Sequence, residues 1–258
     1  MIASYGLTDR GCERSENEDR ILLDDRMGLY IVADGMGGHA HGELAAELAV
    51  TTVRCYIESS RERVDVTWPF GYNFNLSLDE NRLSTAVQVA NRQVWRRSEQ
   101  APECAGMGTT LVAALVSGLT AAIANVGDSR LYLFRHDQLI QLTIDDTWVG
   151  AMLQQGTLDP SEVAKHPMRN VLTQAAGARE SVEIHCVEHT FAAGDILLLS
   201  SDGLHNVVEE AAISAVLASA EGLERSTFRL IQAARANGAP DNVSCLLLRY
   251  SGATELSP

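Results

Sequence analysis

From Thr109 to Leu142 the chain runs through four apolar stretches, Thr109 to Val116, Leu119 to Val126, Leu131 to Arg135 and Gln138 to Leu142. Only Ser117-Gly118, Gly127-Asp128-Ser129-Arg130 and His136-Asp137 separate them. Breaks this short can only reverse the chain, because a parallel crossover needs about a dozen residues or more. The strands must therefore pair antiparallel, which excludes most doubly wound folds.

Further strands are expected at Ile2 to Thr8, Arg20 to Leu23, Gly28 to Ala33, Val182 to His189, Asp195 to Ser200 and Val243 to Tyr250. A helix should start near Gly42, where Leu44, Ala45, Leu48, Ala49 and Thr52 recur at helical spacing. A second fits Asn81 to Arg97, with Leu83, Val87, Ala90 and Val94 on one face, and two more fit Val207 to Ser219 and Gly222 to Ala236. Strands, paired helices and strands again predict an α+β chain of two antiparallel sheets faced by helix pairs.

The 258 residues are 46% apolar, and no Pro/Ser-rich linker or charge block divides them, so one domain is expected. A net charge of -14 repels nucleic acid and anionic lipid, which argues against both as partners. The five cysteines are scattered without a Cys-x-x-Cys pair and read as reduced, packed thiols. The N-terminus lacks the basic and apolar regions of a secretory signal, and Ser117-Gly118 splits the longest apolar stretch into pieces too short to span a bilayer. A cytoplasmic, monomeric protein without a membrane segment is the expectation.

Aspartates stand at glycine-marked breaks after apolar runs: Asp34-Gly35, Gly127-Asp128 and Asp202-Gly203, with Asp241 opening the last apolar stretch. Asp-Gly after an apolar run is most often a hairpin turn, and Asp128 fits that reading. Asp34 and Asp202 do not, since loops and helices follow them rather than partner strands. Carboxylates delivered from several strand ends to one place repel unless a hard cation joins them, and oxygen-only ligation points to magnesium, manganese or calcium. The glycines of Asp34-Gly35-Met36-Gly37-Gly38 leave room for a backbone carbonyl to reach an ion. Arg14-Ser15-Glu16-Asn17-Glu18-Asp19 reads either as a mixed-charge surface loop or as a guanidinium placed to grip phosphate beside metals. Together these features suggest metal-dependent hydrolysis of a phosphate ester.

Arg14-x-x-Asn17-Glu18-Asp19, Ala33-Asp34-Gly35-Met36-Gly37-Gly38, Gly108-Thr109-Thr110, Val126-Gly127-Asp128-Ser129-Arg130, Ser201-Asp202-Gly203-Leu204 and Asp241-Asn242-Val243 follow one another in a specific order. That order resembles the metal-dependent protein serine/threonine phosphatases of the phosphatase 2C (PPM) family, bacterial branch, from Gly6 to about Tyr250. The stretch at about 61–80, with Trp68-Pro69-Phe70-Gly71 and several Asn and Asp residues, reads from its own residues as an ordered insertion loop whose aromatics form a satellite core. The resemblance implies a four-layer α-β-β-α sandwich, one phosphatase domain over 1–252 with a short tail at 253–258, and a flap at about 143–179. It implies two to three manganese or magnesium ions. Asp34 would bridge two of them, with the Gly35 carbonyl on one and Asp202 and Asp241 on the other. Glu18 and Asp19 would hold metal-bound waters or complete the shell, Asp128 with Asp202 would take a third ion, and Arg14 would grip the phosphate.

Two such cations would acidify a shared water into the hydroxide that attacks phosphorus, with no phosphoenzyme. Many eukaryotic relatives place histidine directly after Asp-Gly, but Met36 stands here and cannot donate a proton, which leaves His39 or a metal-bound water. In the flap, Arg169 of His166-Pro167-Met168-Arg169-Asn170 is a candidate substrate contact, unless Pro167 and Asn170 merely end a helix. The implied partners are phosphorylated proteins, with a bacterial Ser/Thr kinase as the activity opposed.

Two other readings exist. Gly35-x-Gly37-x-x-Ala40 with Glu58 downstream imitates a dinucleotide fingerprint, against which stand Asp34 beside a pyrophosphate and turns too tight for parallel pairing. A non-enzymatic phosphoprotein binder would be expected to have lost ligands, whereas Asp34, Asp202 and Asp241 are all in place.

Overall fold

Alternation along strand β3 (Leu29–Met36) sets the layers of the molecule. Leu29, Ile31 and Ala33 point to a helical layer while Tyr30 and Val32 point to a second sheet, so the strand is buried on both faces. The computed structural model describes residues 1–37, 41–62, 67–159, 162–163, 166–219 and 221–252.

One sheet runs β2 (Asp19–Asp24), β3, β5 (Leu111–Ser117), β6 (Thr120–Val126) and β9 (His185–Thr190), with β4 (Gly108–Thr109) also pairing β3. The other runs β1 (Ile2–Asp9), β11 (Val243–Tyr250), β10 (Ile196–Ser200), β7 (Arg130–Arg135) and β8 (Gln138–Gln141). Every pairing is antiparallel. β3 thus lacks the parallel neighbours that a dinucleotide fingerprint requires, and that reading fails.

Helices α1 (His41–Glu62) and α2 (Leu78–Gln100) cover the first sheet through Ala45, Ala49, Val53, Leu83, Val87 and Val94. After the short helices α3 (Trp148–Gln154) and α4 (Asp202–His205), α5 (Glu210–Ala218) and α6 (Leu223–Ala236) cover the second through Ile213, Leu217, Leu230 and Ile231. Between the sheets lie Tyr30, Val32, Val112, Ile123, Leu131, Leu197, Leu199, Leu246 and Leu248. The expected sandwich of two antiparallel sheets flanked by helix pairs is what forms. Each large side chain in this central layer contributes about 1.5–3 kcal/mol by leaving water.

Local chemistry moves several boundaries. α2 starts at Leu78 rather than Asn81, because Ser77 and Glu80 form a reciprocal capping box. α1 persists to Glu62, so the segment between the two helices is 63–77, shorter than the expected 61–80. β9 begins at His185, since the Glu183 N–H donates to the Gln174 side chain at 2.8 Å. The helix expected from Val207 starts at Glu210 as α5, and the separate short α4 precedes it, whose Leu204 carbonyl takes the N–H groups of Val207 and Val208.

Candidate active site

The strand register brings the acids to one end of the sandwich. Asp19 opens β2 and faces Asp34 across the β2–β3 ladder. Ser200, at the end of β10, lies between Arg130, which opens β7, and Cys245 near the start of β11. Asp128 in the turn before β7, Asp202 at the start of α4 and Asp241 just before β11 therefore reach the same edge. Glycine makes two of these placements possible. A Cβ on Gly35 would stand 2.0 Å from the Gly42 carbonyl, and one on Gly203 would stand 1.9 Å from that of Asn242.

Polar residues at this end are spent on holding the acids. The Asp34 carbonyl accepts from Thr110 N–H and Thr109 Oγ1, each at 2.8 Å. Thr110 Oγ1 lies 2.6 Å from Ser129 Oγ, which ties the Asp34 strand to the Asp128 turn. Asp19 Oδ2 accepts from Ser201 Oγ at 2.8 Å, and Ser201 Oγ accepts from Ser244 N–H at 2.9 Å. Asn206 Nδ2 donates to Asp202 Oδ2 at 3.0 Å. Arg14 Nη2 reaches Asp241 Oδ2 at 2.7 Å from the rim.

These carboxylates are short of positive charge. Burial pushes Asp19 up to about 7 and Asp128 up to about 8, and the neighbouring acids add to both shifts. Asp34 keeps partial solvent access, yet burial and the charges of Asp19, Asp202, Asp128 and Asp241 raise it well above the carboxylate range. Burial also raises Asp202 and Glu18. Asp19 Oδ1 and Asp202 Oδ1 are buried without a hydrogen-bond partner among the described residues. Among the described residues no three His, Cys, Asp or Glu side chains form a ready-made metal cage. The oxygen-only donor set and the two orphaned oxygens nevertheless suit a hard cation.

Residues 13–247 match the family model described as protein phosphatase 2C. This chain belongs to that family. It is 36% identical to the serine/threonine phosphatase stp of Listeria innocua serovar 6a, over 93% of each chain. The crystal structure of the Mycobacterium tuberculosis serine/threonine phosphatase PstP/Ppp superposes with a TM-score of 0.83 at 33% identity, covering 97% of this chain and 99% of that one. The catalytic domain of PstP in complex with 2 manganese ions superposes with a TM-score of 0.81 at 31% identity, covering 96% of this chain and 97% of that one. The protein is a serine/threonine phosphatase of the 2C type, bacterial branch.

In this 2C phosphatase Arg169 is exposed. It lines a cavity of about 490 Å³ together with Asp128, Arg130, Asp145, Asn170 and His205. Met36 packs at the end of β3 beside Gly108, and His39 lies outside the described residues, as do 160, 161, 164 and 165 in the flap. No described helix is long and apolar enough to cross a membrane.

Sequence reasoning missed two organisers of the phosphatase site. Asn242 accepts from Glu18 N–H at 2.8 Å and donates to the carbonyls of Arg10 at 2.9 Å and Glu16 at 2.8 Å. It thereby pins the Arg14 loop to the start of β11. Asp146, only 7% exposed, does the same for the Asp128 turn and the flap. The sequence signal was present in each case, a polar residue beside an acid, but nothing local says which of two neighbours turns inward.

Proposed function

We propose that this phosphatase hydrolyses phosphoserine and phosphothreonine on proteins at the acidic end of the sandwich, using two to three divalent cations, manganese or magnesium. Asp34 would serve both ions of the central pair, with the Gly35 carbonyl, Asp202 and Asp241 as further ligands. Glu18 and Asp19 would complete the shell, and Asp128 with Asp202 would hold the third ion. The observation that carries this reading is the pair of orphaned oxygens, Asp19 Oδ1 and Asp202 Oδ1, inside a ring of carboxylates with raised pKa values.

When bound, the cations would supply the positive charge that acidifies a water for attack and neutralises the equatorial phosphoryl oxygens. The chain's own part is placement. Arg14 sits at the rim with its guanidinium half exposed, able to turn a fork of donors toward a phosphoryl group. Water displaces the seryl or threonyl oxygen, the phosphorus–oxygen ester bond breaks, and phosphate and the free hydroxyl leave. Met36 offers no proton, so protonation of the departing oxygen would fall to His39 or to a water in the cleft. Arg169 on the flap would meet the flanking peptide. Residues 1–252 would act as one catalytic unit that reverses the work of a Ser/Thr kinase.

The test is turnover of p-nitrophenyl phosphate and of a phosphothreonine peptide with and without manganese, in wild type and Asp34→Asn. Manganese-dependent turnover lost in Asp34→Asn is expected. Equal inactivity of both proteins across metals would instead favour a phosphoprotein-binding module.

A further inference from the structure

Residues 68–74, between α1 and α2, build an aromatic surface. Trp68 meets Tyr72 edge to face at 5.1 Å, and Tyr72 meets Phe74 in the same way at 5.2 Å. Phe74 is 91% exposed, although burying a ring of this size is worth about 1.5–3 kcal/mol. Residues 73–77 are nonetheless fixed. Buried Asn81 accepts from Asn73 N–H at 2.8 Å and donates to the carbonyls of Asn73, Leu76 and Ser77 at 2.9, 3.1 and 2.9 Å. Such an anchor holds the rings out before any partner arrives, which lowers the ordering cost of binding.

The surface borders a groove. A cavity of about 640 Å³ lies between Tyr72 and Phe74 on one wall, Asn81 and Thr85 of α2 beneath, and Ile184 and Cys186 on the other wall. A second cavity of about 370 Å³ shares Phe70, Gln88 and Val182 and continues it, with the Arg92 guanidinium 5.0 Å from the Phe70 ring. The far wall leads into β9, which among the described residues is the last strand of its sheet and pairs only with β6. Alternate backbone N–H and C=O groups along its outer edge have no strand beside them. Residues 182–190 contain neither Pro nor Lys, which commonly blunt an open edge. Glu180, Glu183 and Glu188 are exposed along this wall and carry no ion pair among the described residues.

We propose that this groove docks an extended, basic segment of a partner protein, which adds as a strand along β9 and seats an apolar side chain against Tyr72 and Phe74. Strand addition supplies main-chain hydrogen bonds, and the aromatic pocket supplies selectivity. The sign of the partner follows from the unpaired glutamates and the net charge of -14. The same charge opposes a second copy of this chain and an anionic membrane as occupants. The groove contains none of the acids assigned to catalysis.

The probe is a fluorescein-labelled synthetic peptide, Lys-Val-Lys-Leu-Lys-Val-Lys, with its Glu-for-Lys counterpart as control, followed by anisotropy. The lysine peptide should bind at least about tenfold more tightly than the control, and Phe74→Ala and Glu183→Lys should each weaken it about tenfold. Both variants should turn over p-nitrophenyl phosphate as wild type does. Asp34→Asn should still bind the peptide, and amides in 182–190 should gain hydrogen-exchange protection when it is added. The proposal is overturned by equal or absent binding of the two peptides, by unchanged affinity in Phe74→Ala, or by loss of binding in Asp34→Asn, which would place the peptide among the acids. Dissociation of a wild-type dimer by Phe74→Ala in sedimentation would also overturn it, in favour of a second copy.

Discussion

Asp146 takes the Gly127 N–H on one carboxylate oxygen at 2.9 Å and so fixes the turn that carries Asp128. Its other oxygen meets His185 Nε2 at 2.8 Å and Gln174 Nε2 at 3.2 Å. The backbone repeats the connection, with Asp146 N–H donating to the Gly127 carbonyl and Thr173 N–H to that of Asp146. One side chain thus joins the β6–β7 turn, the flap and β9. Asp146→Ala leaves a buried N–H without a partner and should cost about 3 kcal/mol in urea unfolding. Asp146→Asn keeps one acceptor and should cost less. An alanine variant within about 0.5 kcal/mol of wild type would show that the turn holds itself.

Arg14 and Asp241 form a different kind of pair, at 2.7 Å with side chains 51% and 34% exposed. A surface ion pair is worth about 0–1 kcal/mol, so Arg14→Ala should unfold almost as wild type does. Its effect should fall on substrate instead, with KM for p-nitrophenyl phosphate raised about tenfold or more and inhibition by inorganic phosphate weakened in parallel. An unchanged phosphate inhibition constant would remove Arg14 from the anion site.

Much of this arrangement was legible because it depends on short-range rules. Turns too tight for a crossover give antiparallel sheets, and Asp34, Asp202 and Asp241 stand where apolar runs break. What stayed hidden depends on long-range packing. The orphaned oxygens of Asp19 and Asp202 exist only because β2, β10 and β11 converge. The inward turn of Asn242 is decided by carbonyls more than two hundred residues away in the chain. Likewise Asp145 and Asp146 are adjacent and look alike, yet one pairs with Arg130 and the other with the Gly127 backbone.

Function and stability conflict at Asp34. Its carboxylate faces Asp19, Asp202, Asp128 and Asp241 from a desolvated position, so folding the cleft brings like charges together. Asp34→Asn removes one of them and keeps the shape. With a chelator present at about pH 8, the variant should be more stable than wild type by about 1 kcal/mol, while losing turnover. Added manganese should raise the melting temperature of wild type more than that of the variant. A variant less stable than wild type under chelation would mean that Asp34 is neutralised by a partner within the protein.

His205, which lines a cavity with Asp128, provides a pH readout. It keeps some exposed surface, but burial of its ring, together with the nearby Arg130 charge, holds its pKa well below the usual 6.5. The folded protein therefore keeps the imidazole neutral where the unfolded chain protonates it. The contribution is fully present above about pH 6.5 and is lost as pH falls, by up to about 1.4 kcal/mol per unit. Asp19 has the contrary sign: its folded pKa of about 7 exceeds the ordinary 3.8, so its contribution is lost as pH rises between those values. Asp34, Asp128, Asp202 and Glu18, also raised, share the sign of Asp19, so the wild-type curve sums all of these trends, and the difference between wild type and His205→Gln isolates the histidine. From about pH 6.5 to about 5, wild type should lose about 1–2 kcal/mol more than the variant in urea unfolding. Ser200 Oγ, 3.1 Å from His205 Nδ1, loses its imidazole partner in the variant, which shifts the baseline at every pH but not the slope. Parallel curves would mean that His205 protonates equally in both states and that Arg130 does not act on it.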